Sequence, residues 1–332
     1  MGWKAIADSL SGVATVQHAV LTVGGTFEVA PGTQYPSNVV SGLAQFINPD
    51  LCFEVPIDYP ASFGPLSGAT ADSYNQSIAV AEANIAAWLA ANPTQTFALG
   101  GYSQGGEAVS RVAIQLMGGT LEQYLPNFIG GYTFGNPCRM AGAVAPGIGN
   151  PGPDWRGISS LNMTELPTIN GQVVWADYIH STANGDPAND MYGMVPVSDV
   201  GTIMTDVYTA ATETQLNDIT TFTSQIVSAL EQLVSDSGIL GGLDGGLAGL
   251  LGEGLEASIA FLIDIVGGGN INATGVNADV EAAVLGLQFL AAPGGSTGPH
   301  ISYLGELAGY SNLVADAVNF LFNIATLTPA RA

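Results

Sequence analysis

Hydrophobic runs rich in β-branched and aromatic residues alternate with longer runs of helical spacing over the first 199 residues. This alternation is typical of strands and helices that build a mostly parallel sheet covered by helices. The strand-like runs are apolar on both faces, which is expected of a buried central sheet. The pattern predicts strands over residues 18–23, 52–57, 96–101, 128–135 and 172–179, and helices over 73–93 and 105–117.

The pattern changes after Asp199. Residues 201–236 place apolar side chains at helical spacing, and a Gly- and Leu-rich stretch follows to Gly269. We therefore predict an α/β core in two parts, with a helical cap or linker inserted between them. The insertion serves either as a lid over the site or as packing that completes the core. The predicted segments are residues 1–199 and 293–332 for the core, the second with a helical pattern over 304–327, and residues 200–292 for the insertion.

The net charge of the chain limits the classes of molecule that it is expected to bind. The chain carries 28 acidic and 5 basic residues, for a formal net charge of −23. Nucleic-acid recognition and docking on anionic lipid both need clustered Lys and Arg, and here these residues are scattered singly. Acidic residues also interrupt the longest apolar tract, so no membrane span is expected. We expect no nucleic-acid partner and a monomeric protein.

Two further features of the sequence bear on compartment. The first residues, MGWKAIADSLSGVATVQ, contain Lys4 and Asp8 and lack the apolar run and cleavage site of a secretory signal. The two cysteines, Cys52 and Cys138, each lie in or beside a strand-like run rather than in a loop framework. We expect them to be free, buried thiols.

Residues 101–105 read Gly-Tyr-Ser-Gln-Gly and match the nucleophile elbow, in which a serine stands on a tight turn between a strand and a helix. The flanking glycines let the backbone segments approach without Cβ clashes. A second match surrounds Ser296, but no strand-like run precedes it. Ser103 follows an apolar run and precedes a helical one, so we predict that Ser103 is the nucleophile.

A serine nucleophile needs a histidine base that a carboxylate holds in the right tautomer. In α/β-hydrolases, the enzymes that carry this elbow, the chain order is serine, acid, histidine. His18 precedes the serine, and His180 precedes the most plausible acids. The order therefore predicts His300 as the base.

The acid is expected in the loop after the run 172–179, because parallel strands deliver functional loops at their carboxyl ends. Asp186 and Asp190 both lie there. We favour Asp186, since Gly185 gives the backbone freedom for a tight turn, and keep Asp190 as the alternative. Asp177 lies inside the strand-like run and is interpreted as structural.

Acyl transfer also needs N–H groups that hold the developing oxyanion. The backbone N–H of Gln104, which follows the nucleophile, is one candidate. The other is Thr26, which follows two glycines at the end of the first strand-like run. No HExxH motif, Cys/His cluster or phosphate-binding loop is present, so we expect neither a metal nor a cofactor.

Six blocks of the chain have a joint resemblance. They read LTVGGT, IDYPASFGP, FALGGYSQGG, FGNPCRMAG, DYIH followed by GDPANDMYG, and GPHISYLG. Together and in this order they resemble the mycobacteriophage lysin B enzymes, which are α/β-hydrolases related to cutinases. The resemblance covers residues 18–199 and 293–325, and the insertion resembles the family only in position and helical character.

The resemblance implies an α/β-hydrolase with its nucleophile at Ser103 and its histidine at His300. It also implies an esterase that cuts the bond between mycolic acids and arabinogalactan in mycobacterial-type cell walls during phage-mediated lysis. The acid stays open, because relatives carry one Gly-Asp before an apolar-Tyr pair. Here Gly185-Asp186 and residues 190–192 divide that pattern.

Such an enzyme would be made in the cytoplasm of the infected host and would act at the envelope once lysis begins. Its partner would be the lipid-ester substrate of the cell wall. Two alternatives remain: a cutinase- or lipase-like esterase that acts on free lipid esters, and a non-catalytic wall-binding phage protein that kept the fold.

Overall fold

Five parallel strands form the central sheet of the computed structural model, which describes residues 16–28, 32, 34–67, 70–213 and 298–332. The strands are β1 (His18–Val23), β2 (Cys52–Pro56), β3 (Phe97–Tyr102), β4 (Phe128–Phe134) and β8 (Trp175–Tyr178). In spatial order they are β2, β1, β3, β4 and β8, and every pairing between them is parallel. The predicted α/β-hydrolase class with a mostly parallel sheet is confirmed.

Four of these strands are buried along their whole length, and only the edge strand β2 is partly exposed. Continuous apolar runs such as HAVLTV therefore reflect burial on both faces of the sheet. The chain leaves β1 towards β2 on one side and later returns to β3 on the other. The carboxyl ends of β1 and β3 thus lie at the switch point, where open α/β sheets bind their ligands.

The predicted single strand over residues 172–179 is two strands. Thr168–Ile169 (β6) and Gln172–Val173 (β7) form a separate antiparallel hairpin, and β8 follows. The reason is the Asn170-Gly171 turn, where both residues have positive φ, +52° and +79°. This is the turn that two-residue hairpins prefer. A second short ribbon pairs Trp155–Arg156 (β5) with Val195–Pro196 (β9).

Helices cover both faces of the sheet. On one face lie α2 (Tyr74–Ala91) and α3 (Gln104–Gly118), which pack against each other, and on the other lie α1 (Tyr35–Phe46) and α5 (Leu313–Ala325). Each pair buries its apolar side chains in its own hydrophobic cluster against the strands. The helix over 73–93 was predicted, and a capping box between Ser73 and Gln76 fixes its start.

Helix α4 (Asp199–Glu213) begins where the insertion was predicted, and it packs against α2. The rest of the predicted insertion, residues 214–292, and the start of the C-terminal core part lie outside the described residues. The division into segments 1–199, 200–292 and 293–332 therefore stays a prediction. In the part of the chain that the structure describes, no helix has the length and apolar run needed to cross a bilayer.

Candidate active site

Ser103 stands on a sharp turn between strand β3 and helix α3. Its backbone angles are φ +54° and ψ −119°, a conformation that side-chain-bearing residues rarely adopt. The Ser103 N–H donates to the Phe134 carbonyl at 2.9 Å, so the neighbouring strand β4 holds the turn. Strain of this kind persists only where the surrounding structure imposes it, and it concentrates at functional sites. The turn has the geometry predicted for a nucleophile elbow.

The glycine at position 105 is required by close packing of α3 on β1. A Cβ there would lie 2.2 Å from the Val23 carbonyl oxygen and 2.3 Å from that of Gly24. The contact brings the first turn of α3 against the end of β1. It also sets Ser103 beside the loop that follows β1.

His300 lies directly over the serine. Its Nε2 is 2.8 Å from Ser103 Oγ, and its Nδ1 is 2.8 Å from Asp190 Oδ2. The carboxylate only accepts, so Nδ1 carries the proton and Nε2 is left to accept the serine proton. The ring is held between Tyr102, at a centroid distance of 5.2 Å, and Tyr192, at 4.3 Å. The structure thus brings together the predicted serine and the predicted histidine.

Asp190, the alternative acid, is the carboxylate that contacts His300. It is fully buried in the loop between β8 and β9. Its backbone N–H donates to the His180 carbonyl at 2.9 Å, and its Oδ1 accepts the Tyr192 N–H at 3.0 Å. Its Oδ2 accepts from both His300 Nδ1 and the Tyr303 hydroxyl, the latter at 2.5 Å. Both carboxylate oxygens are therefore fixed in place.

The preference for Asp186 as the acid does not match the geometry, because Asp186 faces the other buried histidine. Its Oδ2 lies 3.1 Å from His180 Nδ1 and accepts the Ser181 N–H, while its Oδ1 accepts the Ser311 N–H at 2.9 Å. Gly185 does make a tight turn, with φ +84°, but this turn directs Asp186 back towards β8. Burial alone would raise the pKa of Asp186, yet the His180 contact and two backbone N–H groups hold that pKa well below its usual range.

Asp177 is structural, as interpreted from the sequence. It is fully buried on β8 and accepts hydrogen bonds from Thr133 and Asn136 at 2.6 and 2.7 Å. Burial raises its pKa, and these hydrogen bonds oppose the rise. Its hydrogen bonds join β8 to β4.

The two predicted oxyanion donors belong to the residue after the serine, Gln104, and to the loop after β1, which carries Thr26. Gln104 is the first residue of α3, where backbone N–H groups have no partner within the helix and the helix dipole favours negative charge. Its side chain points away and donates to the Ser62 carbonyl at 2.9 Å, so only its backbone faces the site. Thr26 follows Gly25, and a Cβ on Gly25 would lie 3.3 Å from the Ser103 Cβ.

Glu28 is an acidic group of this site that sequence analysis missed. Its Oε2 accepts the Gly25 N–H at 2.7 Å. Burial raises its pKa, while the Gly25 hydrogen bond and the nearby His300 lower it. The sequence signal is weak, because one glutamate two residues beyond Thr26 has no pattern that marks it.

An open cleft of about 510 Å³ lies beside the loop that follows β1 and carries Thr26. Phe27 and Ala61 form its rim, joined by a 2.7 Å bond from the Phe27 N–H to the Ala61 carbonyl. Both have positive φ, as does Ser103, so three of the four such non-glycine residues in the described chain lie at this site. The lining residues are Phe27, Pro60, Ala61, Ser62, Ser67, Thr70, Ala71 and Asp72.

The cysteines offer no competing chemistry. Both Cys52 and Cys138 are free and buried, which confirms the prediction. Burial raises the pKa of Cys52 to about 12 and raises that of Cys138 well above its usual range, so both stay as unreactive thiols. Across the residues that the structure describes, no group of three His, Cys, Asp or Glu side chains is arranged to hold a metal ion.

Comparison with solved structures finds proteins that are similar to this chain. Lysin B from Mycobacteriophage D29 matches with a TM-score of 0.50 at 22% identity, over 92% of this chain and 99% of that one. A cutinase-like protein from Cryptococcus sp. matches with a TM-score of 0.34 at 20% identity, over 60% of this chain and 89% of the other. The catalytic core of acetyl xylan esterase from Trichoderma reesei gives 0.39 at 16% identity, over 60% and 96% of the two chains.

By sequence, no protein-family model and no curated protein matches the chain. At 22% identity, the likeness to lysin B shows a shared fold over nearly the whole of both chains. It agrees with the resemblance drawn from the six sequence blocks.

Proposed function

We propose that this protein is a serine esterase that hydrolyses the ester between mycolic acids and arabinogalactan in mycobacterial-type cell walls. One observation carries the proposal: an unbroken chain of two 2.8 Å hydrogen bonds from Ser103 through His300 to Asp190, beginning on a strained elbow. Serine, acid and histidine also follow one another along the chain in the order that α/β-hydrolases use. Ser103, Asp190 and His300 are the catalytic residues of this proposal.

The chemistry runs in two acyl-transfer steps. In the first, His300 Nε2 takes the Ser103 proton while Oγ attacks the ester carbonyl, and the resulting tetrahedral oxyanion collapses to an acyl-serine. His300 returns the proton to the departing sugar hydroxyl. In the second step, His300 takes a proton from water, which attacks the acyl-serine. The second tetrahedral oxyanion collapses, His300 gives this proton to Ser103 Oγ, and the fatty acid is released. Asp190 stabilises the imidazolium in both steps without taking its proton.

The oxyanion is held by two groups. The backbone N–H of Gln104 donates from the positive end of the α3 dipole, and Thr26 contributes from the loop after β1. Removing one such donor costs about 100- to 1000-fold in kcat in hydrolases of this kind. These assignments rest on the nearness of both residues to Ser103.

Three observations support the choice of substrate. The likeness to lysin B extends over 99% of that protein. A lipid ester of a neutral sugar polymer needs no cluster of cations for recognition, and this chain has only five basic residues. The open cleft beside the loop that follows β1 offers room for part of a bulky substrate. In this proposal the protein acts as a monomer at the host envelope during phage-mediated lysis.

The test compares two substrates and two serine variants of the full chain. Ester release from purified mycolyl-arabinogalactan and from a triglyceride is measured with the parent protein, Ser103→Ala and Ser296→Ala. Ser296 lies in the second Gly-x-Ser-x-Gly match and is the matched control. We expect preferred release from the cell-wall ester, loss with Ser103→Ala, and parent activity with Ser296→Ala.

Two results would redirect the proposal. Faster release from triglyceride would indicate a lipase- or cutinase-like esterase. No ester release by the parent protein from either substrate, together with no labelling of Ser103 by a fluorophosphonate, would leave a wall-binding protein that keeps the fold without the chemistry.

A further inference from the structure

A second histidine–aspartate pair lies beneath the first. His180 is fully buried, with Nδ1 3.1 Å from Asp186 Oδ2 and Nε2 3.3 Å from the Ser302 carbonyl. The ring of Tyr303 stacks on the His180 imidazole at a centroid distance of 4.7 Å and an interplanar angle of 23°.

Tyr303 connects the two pairs. It is fully buried, and its hydroxyl donates to Asp190 Oδ2, the oxygen that also accepts from His300 Nδ1. First burial and then the charge of Asp190 raise the pKa of the Tyr303 hydroxyl well above its usual range. The hydroxyl therefore stays protonated and remains a donor throughout the working pH range.

We propose that Tyr303 is a positioning residue for the esterase reaction, and that the His180–Asp186 pair in turn holds Tyr303. The inference rests on the proposed function, because it takes Asp190 and His300 as the catalytic acid and base. A carboxylate oxygen that already accepts from a phenol is less basic towards a second donor. Tyr303 thus fixes the direction of Asp190 Oδ2 and limits how strongly this oxygen stabilises the His300 imidazolium.

The surroundings give Tyr303 no freedom to turn away. Its ring contacts Tyr35 and Phe134 at centroid distances of 5.6 and 5.3 Å, and its carbonyl accepts the Val314 N–H. Asp186 adds a tie on the other side, since it binds Ser311 on the segment that carries both His300 and Tyr303. The His180–Asp186 pair therefore connects the segment that carries His300 to the loop between β8 and β9 that carries Asp190.

Tyr303→Phe removes one hydroxyl and substitutes none of the other titratable or charged groups around His300 and Asp190. A change in the pH dependence of kcat therefore reports on that hydroxyl. The titratable and charged groups that face His300 are Asp190, Glu28, Tyr102 and Tyr192, and those that face Asp190 are His300, Tyr102, Tyr192, Tyr303, Tyr310 and Arg139.

The experiment measures kcat and KM for p-nitrophenyl butyrate against pH in the full chain carrying Tyr303→Phe. We expect kcat to fall by about 10-fold from the loss of alignment. KM should stay within about 2-fold, because the hydroxyl does not touch substrate. The acid limb of the kcat profile should move upward by about half to one pH unit, because Asp190 stabilises the imidazolium more strongly once the competing donor is gone.

The matched control is Tyr132→Phe. Tyr132 is equally buried, and its hydroxyl donates a 2.8 Å bond to the Pro36 carbonyl of helix α1 rather than to a proposed catalytic residue. It reports the cost of losing one buried phenol hydrogen bond. An acid limb that stays in place in Tyr303→Phe, with a loss of kcat no larger than in Tyr132→Phe, overturns the proposal.

If Tyr303→Phe does not fold, Asp186→Asn carries the test. It weakens the His180 contact but leaves the Tyr303 hydroxyl in place, so we expect a smaller upward shift of the acid limb. An unmoved acid limb in a folded Asp186→Asn also overturns the proposal. Ser103→Ala separates the two claims: if it keeps parent activity, the proposed function fails, and if it is inactive while Tyr303→Phe is normal, only the role of Tyr303 fails.

Discussion

Replacing Asp190 by Asn tests the proposed site most severely, because the buried surroundings dictate how an amide can sit there. The Oδ1 position faces the Tyr192 N–H, which only donates. The Oδ2 position faces His300 Nδ1 and the Tyr303 hydroxyl, each of which can either donate or accept. Placing the amide oxygen towards Tyr192 and the NH₂ towards the other two satisfies every group. The opposite orientation sets NH₂ against N–H.

The favoured orientation reverses the tautomer of His300. The NH₂ at position 190 must donate to Nδ1, so the imidazole proton moves to Nε2, which faces Ser103 Oγ. A protonated Nε2 cannot take the serine proton. In serine proteases the same change of tautomer costs about 10⁴-fold in kcat. That factor corresponds to about 5.5 kcal/mol of transition-state stabilisation.

The assay is p-nitrophenyl butyrate hydrolysis at pH 7.5, roughly one unit above the ordinary histidine pKa, with circular dichroism as the check on folding. Asp186→Asn is the matched control, because it removes a buried carboxylate from the same loop. We expect a loss of about 10⁴-fold for Asp190→Asn and of less than about 10-fold for Asp186→Asn. The assignment of the acid would be refuted by a loss below about 10-fold in folded Asp190→Asn, or by a loss in Asp186→Asn that exceeds the loss in Asp190→Asn.

Three further predictions follow from contacts outside the catalytic hydrogen bonds. Phe27→Ala should lower kcat/KM for the cell-wall ester by about 10-fold and change kcat/KM for p-nitrophenyl butyrate by less than about 2-fold. The reason is that the Phe27 ring, at the rim of the cleft, is within reach of a bulky substrate only. Equal losses on both esters would contradict this. Gly105→Ala should cost about 3 kcal/mol or more in urea unfolding, since its Cβ would meet the backbone of β1 at 2.2 Å, whereas Gly118→Ala on the same helix has open space and should be neutral or stabilising. Asp186 has a lowered pKa in the folded protein, so its contribution to stability is fully present above the unfolded pKa of about 4 and is lost progressively as the pH falls from there towards the lowered folded pKa. The free energy of unfolding should therefore differ between the parent and Asp186→Asn by about 1–3 kcal/mol at pH 7, and the difference should shrink steadily below about pH 4; a constant difference would speak against this linkage.

Several elements were predictable from sequence because a continuous apolar run or a local motif marks them. Strands β1, β3 and β4 follow continuous apolar runs to within a residue or two, and α3 follows the elbow glycines directly. Helix α1 was not predicted. It begins at a Tyr-Pro pair, and it packs against α5, which comes from the far end of the chain. Local periodicity carries no information about such a distant partner.

The site divides in the same way. Ser103 and His300 were predictable because a local turn motif and a rule of chain order both constrain them. The choice between Asp186 and Asp190 was not, because both follow β8 and each meets a histidine at hydrogen-bonding range. Which histidine each one meets depends on how residues 298–311 lie across the loop. That arrangement is a long-range property that the Gly185 turn does not encode.

The two histidine–aspartate pairs show what separates a structural pair from a catalytic one. Each joins Nδ1 of a buried imidazole to a carboxylate oxygen, at 3.1 Å for His180 and 2.8 Å for His300. The difference lies at Nε2, which meets a backbone carbonyl in His180 and the Ser103 hydroxyl in His300. A carbonyl has no proton to give, so the first pair can only hold the structure together. The hydroxyl can transfer its proton, and the strained elbow keeps it within reach. In the proposed mechanism, chemistry thus depends on the third group, and a search for paired His and Asp alone would select both pairs.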